Sequence, residues 1–222
     1  MRALVAEDDP DVGPDLVRAL TAAGFVADLA TNGEDAWYRG DVEDYDLAIL
    51  DLGLPRIDGL SVLRRWRQAG RDMPVLILSA RGDWTEKVEG IEAGADDYVA
   101  KPFEMGELLT RARALVRRAA GHAHAMLTVG DLRIDTRHRT LTKGGAPVSL
   151  TLLEFRLLNY LAHHLDSPAS AGELGEHLYG ADEPGDSNAI EALILRLRRK
   201  IGADAIETRR GFGYKLVAKQ QA

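Results

Sequence analysis

DLAILDLGLPRIDG, residues 46–59, decides how the rest of the chain is read. Leu47, Ala48, Ile49 and Leu50 form a short apolar run, which predicts a strand buried on both faces of a parallel sheet. The run stops at Asp51, where strand gives way to loop, and Pro55 and Gly59 punctuate that loop before a helix beginning near Leu60. Ligands of open α/β sheets collect at the carboxyl ends of the strands, so an acid at this point is a candidate site residue. Taken alone, Asp51 fits equally well as a charge that solvates a strand end.

Working outward, residues 1–118 alternate strand and helix. Strands are expected over Ala3–Ala6, Val26–Leu29, Leu47–Leu50, Val75–Ser79 and Tyr98–Ala100. Helices are expected over Asp11–Ala23, Glu34–Gly40, Leu60–Gln68, Thr85–Ala93 and Met105–Arg118. Five strands each followed by a helix specify an α/β fold, a parallel doubly wound sheet with helices on both faces. The next residues, AAGHAHAM at 119–126, lack periodicity and read as a flexible linker. Its His122 and His124 have an i, i+2 spacing that a metal could use, although a plain linker accounts for them. Short strands follow at Leu127–Val129, Leu132–Asp135, Thr140–Thr142 and Val148, then helices over Leu152–His164, Ala171–Leu178 and Asn188–Ile201. IETRRGFGYKL closes this part as a glycine-containing hairpin, leaving a tail at 218–222. The expected domains are thus 1–118 and 127–217.

With 222 residues, 45% hydrophobic and 28% charged, the chain has the composition of an ordinary globular protein. No apolar run approaches the roughly 18 residues of a membrane span. MRALVAEDD enters a strand pattern without the design of a signal peptide, and zero cysteines exclude disulfides and thiolate metal sites. A cytoplasmic protein is expected. The net charge of −7 is unevenly divided: residues 1–126 hold 15 Lys and Arg against 23 Asp and Glu, residues 127–222 hold 13 against 12. The acidic part is suited to a cation, and the basic clusters Arg196–Lys200 and Arg209–Arg210 are suited to an anion.

In a doubly wound sheet the first and third strands are neighbours at the switch point, so Glu7, Asp8 and Asp51 converge. Carboxylates that close repel unless a cation intervenes, and oxygen donors without His or Cys favour Mg²⁺ over zinc. Ser79 ends the fourth strand and Lys101 follows the fifth, so both reach the same rim. Acid cluster, hydroxyl and lysine are the parts of an acyl-phosphate site. Asp51 would be the nucleophile, with the metal, Lys101 and Ser79 taking the phosphoryl oxygens.

EDD at 7–9, LDLGLPRIDG at 50–59, LSA at 78–80 and DDYVAKPF at 96–103 resemble the receiver domain of a two-component response regulator. The resemblance implies phosphorylation of Asp51 by a partner histidine kinase. It implies Mg²⁺ held by Glu7, Asp8, Asp51 and the backbone carbonyl of Gly53. Tyr98 matches the family's switch aromatic, which follows the Ser79 hydroxyl, and Lys101–Pro102 matches a bond that is cis in the family. Catalysis would be limited to self-phosphorylation and autodephosphorylation, with Gly53 and Arg81 near the attacking water's path.

On the helix 188–201, Ile190, Ile194, Leu197 and Ile201 share an arc that must face a core. Asn188, Ala192, Leu195 and Arg199 lie opposite, with Arg196 beside them, a face able to enter a major groove. A surface helix with basic residues placed for the helix dipole is the other reading, which an exposed Leu195 disfavours. TLLEFRLLNYL at 151–161, SNAIEALILRLRRKIG at 187–202 and TRRGFGYKL at 208–216 resemble the winged helix-turn-helix domain of OmpR/PhoB-type regulators. That resemblance makes 188–201 the recognition helix and Arg209–Tyr214 the wing, with Arg210 reaching the minor groove. Leu193 and Leu195 depart from the family's polar or basic preference. Leu193 is expected to pack, and Ala192 and Leu195 to meet thymine methyls.

On the helix 105–118, Leu108, Ala112 and Leu115 are expected to face inward, with Glu107, Arg111 and Arg118 alongside. In the family, phosphorylation brings intermolecular pairs: Lys87 with Glu107, Asp97 with Arg111, Asp96 with Arg118. Exposed pairs are weak, and intrachain pairing is equally open. A homodimer would present two winged helices to direct repeats in promoter DNA, with RNA polymerase as a further partner. Three other functions fit these residues less well. A haloacid dehalogenase-type phosphatase needs a second Asp where Gly53 stands. A flavodoxin-like FMN protein needs a hydroxyl-lined phosphate cradle. A constitutive DNA-binding regulator would not need the intact acidic site.

Overall fold

The structure, a computed structural model, describes residues 1–80, 84–165, 167–180 and 187–218, with the side chains of 84–86 left aside. Arg81 and residues 219–222 of the tail lie outside the described residues. The chain divides into two compact units, Arg2–Ala119 and Ala120–Ala222.

The first unit runs β1 (Arg2–Ala6), α1 (Val12–Ala22), β2 (Val26–Ala30), α2 (Gly33–Val42), β3 (Leu47–Asp51), α3 (Gly59–Gln68), β4 (Val75–Ser79), α4 (Trp84–Glu92), β5 (Asp97–Ala100) and α5 (Met105–Ala119). Its strands form one parallel sheet in the order β2-β1-β3-β4-β5. Every residue of β1, β3 and β4 is buried, as strands covered by helices on both faces require. The direction of winding reverses between β1 and β3, which opens the crevice there.

Local chemistry sets the helix starts. Asn32 caps α2 by accepting from Asp35 N at 3.0 Å, and Asp58 caps α3 by accepting from Ser61 N at 2.8 Å. At α1 the Asp11 side chain makes no cap, and Asp9 Oδ1 instead accepts from Asp11 N and Val12 N at 2.9 and 3.0 Å. Trp66 is wholly buried under α2 and donates its indole N–H to Trp37 O at 3.1 Å. Strand β1 starts one residue earlier than the apolar pattern predicts. Arg2, 1% exposed, is held in the strand by an ion pair with Asp28 at 2.7 Å, a second with Glu43, and the Tyr45 ring 4.5 Å away.

The second unit opens with an antiparallel meander of β6 (Met126–Val129), β7 (Leu132–Asp135), β8 (Thr140–Lys143) and β9 (Ala146–Val148). Then come α6 (Leu152–His163), α7 (Ala171–Tyr179), α8 (Ser187–Ile201), a 3-10 turn at Ala203–Ala205, and the hairpin β10 (Ile206–Arg209) and β11 (Gly213–Leu216). Capping boxes start α6 at Thr151 and Glu154, and α7 at Ser170 and Glu173. Ala169 bridges to Tyr214, adding a third stretch of backbone to the hairpin. One core joins the meander to Leu157 and Leu161 of α6, Leu174 and Leu178 of α7, and Ile190, Leu193, Ile194, Leu197 and Ile201 of α8. The segment expected to be a plain linker is not without contacts: the His122 ring lies edge-on to His163, centroids 5.3 Å apart.

Candidate functional site

Ala6 of β1 pairs with Leu50 of β3, so the next residues, Glu7 and Asp51, stand side by side at the carboxyl end of the sheet. Carboxylate oxygens of Glu7, Asp8 and Asp51 lie within 4.8 Å of one another. Glu7 and Asp51 are buried, whereas Asp8 is exposed. Lys101 enters from the end of β5, where its N–H donates to Ser79 O at 2.8 Å. Its ammonium lies 2.9 Å from Asp51 Oδ2, 3.0 Å from Glu7 Oε1 and 2.7 Å from Glu7 Oε2. The peptide bond to Pro102 is cis, and Ser79 is buried at the end of β4.

Burial pushes the Glu7 carboxyl above its ordinary range, opposed by the hydrogen bond from Lys101 and reinforced by the Asp51 charge. Burial pulls Lys101 downward, but its hydrogen bonds to Glu7 and Asp51 outweigh this and the net shift is upward. Glu7 Oε2 is buried without a well-directed hydrogen bond, despite its closeness to the ammonium. The buried Glu7 carboxylate beside those of Asp8 and Asp51 is a donor set that fits a hard divalent ion. Gly53 is exposed beside the cluster. Gly59 closes its floor, because a Cβ there would stand 2.1 Å from Asp51 O.

Tyr98 is half-buried on β5, with the Lys87 ammonium 5.1 Å from its ring centroid. Arg111 pairs within the chain with Asp97 at 3.0 Å and with Glu107 at 2.8 Å. Asp96 accepts from Val75 N at 2.8 Å and pairs with Arg67 at 3.2 Å. Arg118 is exposed, and Leu108, Ala112 and Leu115 are buried.

In the second unit, Asn188, Ala192, Leu195, Arg196 and Arg199 are exposed on one face of α8, and Leu193 is buried. Leu195 is 52% exposed. The basic run 196–200 divides by function. Arg198 donates to Ile206 O at 3.0 and 2.7 Å and to Thr208 Oγ1 at 2.7 Å, tying α8 to the hairpin. Lys200 donates to Ser149 O at 2.9 Å and pairs with the buried Glu154 at 2.6 Å. Neither role was legible in the sequence, since both partners are distant in the chain or in backbone carbonyls. Arg196 and Arg199 remain outward, and Arg210 is exposed at the hairpin tip.

Comparison with known proteins agrees with both parts. Residues 3–113 match the family described as response regulator receiver domain, and residues 145–216 the one described as transcriptional regulatory protein, C terminal. The chain is 43% identical over 218 residues to the two-component response regulator PhoP of Pseudomonas aeruginosa, covering 96% of this chain and 97% of that one. It is 40% identical over 221 residues to the transcriptional regulatory protein CusR of Escherichia coli, covering 97% of each. The solved Francisella response regulator 1452 receiver domain is similar with a TM-score of 0.52 and 33% identity, covering 53% of this chain and 98% of that one.

Proposed function

Because the chain belongs to the two-component response regulators of the OmpR/PhoB type, we propose that it is a phosphorylation-controlled regulator of transcription. An oxygen of Asp51 attacks phosphorus, the bond from phosphorus to the histidine nitrogen of a sensor kinase breaks, and an acyl phosphate remains on Asp51. Glu7, Asp8, Asp51 and the Gly53 carbonyl would hold Mg²⁺, which when bound would supply charge neutralisation at the phosphoryl oxygens. Lys101 and the Ser79 hydroxyl take the remaining oxygens, and Tyr98 follows Ser79. The chain performs no chemistry beyond acquiring and losing this group. The observation that carries the reading is the Lys101 ammonium set between Glu7 and Asp51 beside a third carboxylate.

Phosphorylation then biases the receiver between two states by a few kcal/mol, enough to shift most of the population. In the favoured state Lys87, Asp96, Asp97, Glu107, Arg111 and Arg118 exchange partners across a homodimer. Two copies of α8 reach direct repeats in promoter DNA, where RNA polymerase is a further partner, in the cytoplasm. Asn188, Ala192, Leu195, Arg196 and Arg199 lie in the major groove, and Arg210 in the minor groove. Among the described residues no helix is long and apolar enough to cross a membrane.

Intact-mass measurement after incubation with acetyl phosphate and Mg²⁺ tests the first half of this reading. One added phosphoryl group on the wild type and none on Asp51→Asn is expected; equal labelling of both rejects Asp51 as acceptor. Selection of DNA sites by the phosphorylated protein tests the second half and returns half-site sequence and spacing together.

A further inference from the structure

All six histidines lie in the second unit, and three of them have plain structural duties. His164 and His177 lie against the Tyr160 ring, centroids 4.2 and 4.5 Å away, and His138 Nδ1 stands 2.8 Å from Asp135 Oδ2. The other three, His122, His124 and His163, gather where residues 121–124 meet the end of α6. His122 and His124 line a cavity of about 170 Å³ with Met126, Ala162 and Leu165. The His122 ring also stands edge-on to the buried His163.

Edge-on packing alone is an ordinary aromatic contact. Two features point past it. The first is the centroid separation of 5.3 Å. A zinc–nitrogen bond of about 2.0–2.1 Å puts each imidazole centroid about 3.2 Å from the ion, so two rings at the tetrahedral angle stand about 5.2 Å apart. The second is the tautomer. His163 Nδ1 lies 2.8 Å from Asn159 O, and a carbonyl only accepts, so neutral His163 carries its proton on Nδ1 and its lone pair on Nε2. Ligating histidines are held this way, one ring nitrogen donating to a carbonyl and the other turned to the ion.

We propose that His122, His124 and His163 hold a borderline divalent transition-metal ion, Zn²⁺ being the best match, and that the ion fixes residues 121–124 against α6. Imidazole suits zinc, copper and nickel, whereas Mg²⁺ takes oxygen ligands. Among the described residues only Glu7, Asp8 and Asp51 form a ready group of three. His122 and His163 therefore supply the paired half of the site, and His124, exposed on the same wall, closes on the ion as third ligand. Water completes a four-coordinate shell, for which the cavity has room, since each water takes about 30 Å³. No residue proposed for phosphoryl transfer or DNA contact takes part.

Calorimetric titration of the full-length protein with ZnCl₂, after EDTA treatment and dialysis into excess Mg²⁺, tests this. One Zn²⁺ per chain is expected, and Co²⁺ in its place should show the intense visible absorption of a four-coordinate ion. His122→Gln and His124→Gln, both outside the core, should each weaken binding about tenfold or more, since even the loss of a ligand's hydrogen-bond partner costs that much. His163→Gln should do the same, and His138→Gln should bind as the wild type does. Zinc should also slow amide exchange over residues 120–126 in the wild type and not in His122→Gln, a readout that an ion bound elsewhere would not move. Absence of zinc uptake overturns the proposal, and so does uptake that His122→Gln leaves unchanged. Zinc that Mg²⁺ displaces would belong to the receiver acids and overturns it as well.

Discussion

The Lys101 ammonium lies 2.9 Å from the Asp51 carboxylate, although 50 residues of chain separate the two. The same ammonium touches Glu7, so the proposed phosphoacceptor is already part of an ion cluster before any donor arrives. Replacing Lys101 with Met should therefore act twice. It removes one donor to the phosphoryl oxygens, which should slow labelling by acetyl phosphate about 10²-fold. It also leaves the buried Glu7 without its cation, which should cost a few kcal/mol of receiver stability. Asp51→Asn keeps a polar side chain against Lys101 and removes a repelling charge, so it should abolish labelling without lowering the melting temperature. Labelling kinetics and thermal melts of the two variants check both statements.

Gly59 and Gly53 flank the same carboxylate, and they should tolerate substitution very differently. A Cβ on Gly59 would stand 2.1 Å from Asp51 O, whereas on Gly53 its one near contact is Asp51 Oδ2 at 3.6 Å. Gly59→Ala must push the backbone of Asp51 aside. Overpacking of this kind costs about 1–3 kcal/mol, sometimes more, and here the displaced group is the acceptor itself. Gly53→Ala should change stability little. Denaturant titration of both variants with acetyl phosphate labelling checks this; equal stability would mean the loop yields freely.

The site was legible because a parallel sheet turns strand order into proximity. Once Leu47–Leu50 reads as a buried strand, Asp51 must stand at its carboxyl end, and Glu7, Ser79 and Lys101 follow by the same rule. The outward face of α8 was legible for a similar reason, since helical periodicity alone separates Leu195 from Leu193. What periodicity cannot give is a partner far away in the chain. Arg2 reads as a charge ahead of a strand, yet it is buried in one because Asp28 and Glu43 lie within reach. Arg198 and Arg199 are adjacent and chemically identical. Only the position of Ile206 and Thr208 makes the first a brace and leaves the second outward.

Arg111 pairs within its own chain with Asp97 at 3.0 Å and Glu107 at 2.8 Å. If these groups exchange partners in a dimer, the monomer gains little from them, because partly exposed pairs contribute about 0–1 kcal/mol. Arg111→Ala should leave the melting temperature nearly unchanged and abolish phosphorylation-dependent dimerisation. Sedimentation velocity with and without acetyl phosphate measures this. A dimer that survives the substitution would place the interface elsewhere.

Leu195 is exposed where a charged or amide side chain would serve solubility better. Contact with a thymine methyl gives it a use that Leu195→Asn would lose. The selected site should then lose its preference for T under α8, at a cost of about 1–3 kcal/mol per base pair, while other positions keep theirs. An unchanged sequence preference after the substitution would remove Leu195 from the interface.

Glu154 is buried at the start of α6, where it completes the capping box and meets Lys200 at 2.6 Å. Burial pushes its carboxyl upward, but hydrogen bonds from Lys200 and Thr151 pull it further down, and the net shift is below the ordinary value. A folded carboxyl with a lowered pKa binds protons less readily than the unfolded chain does. Its stabilisation is therefore complete above the unfolded pKa of about 4.3 and is lost as pH falls through the lower folded value. Glu154→Gln should weaken α6 at pH 7 and flatten its pH dependence below about pH 5, so the two proteins converge in acid. All three tryptophans, Trp37, Trp66 and Trp84, lie in the first unit and none on α6, so the measurement has to follow the backbone of the helix itself. Amide exchange of peptides covering Leu152–His163 does so. A wild-type advantage in protection that persists undiminished at the acid end would show that Glu154 acts through its shape, and not through its charge.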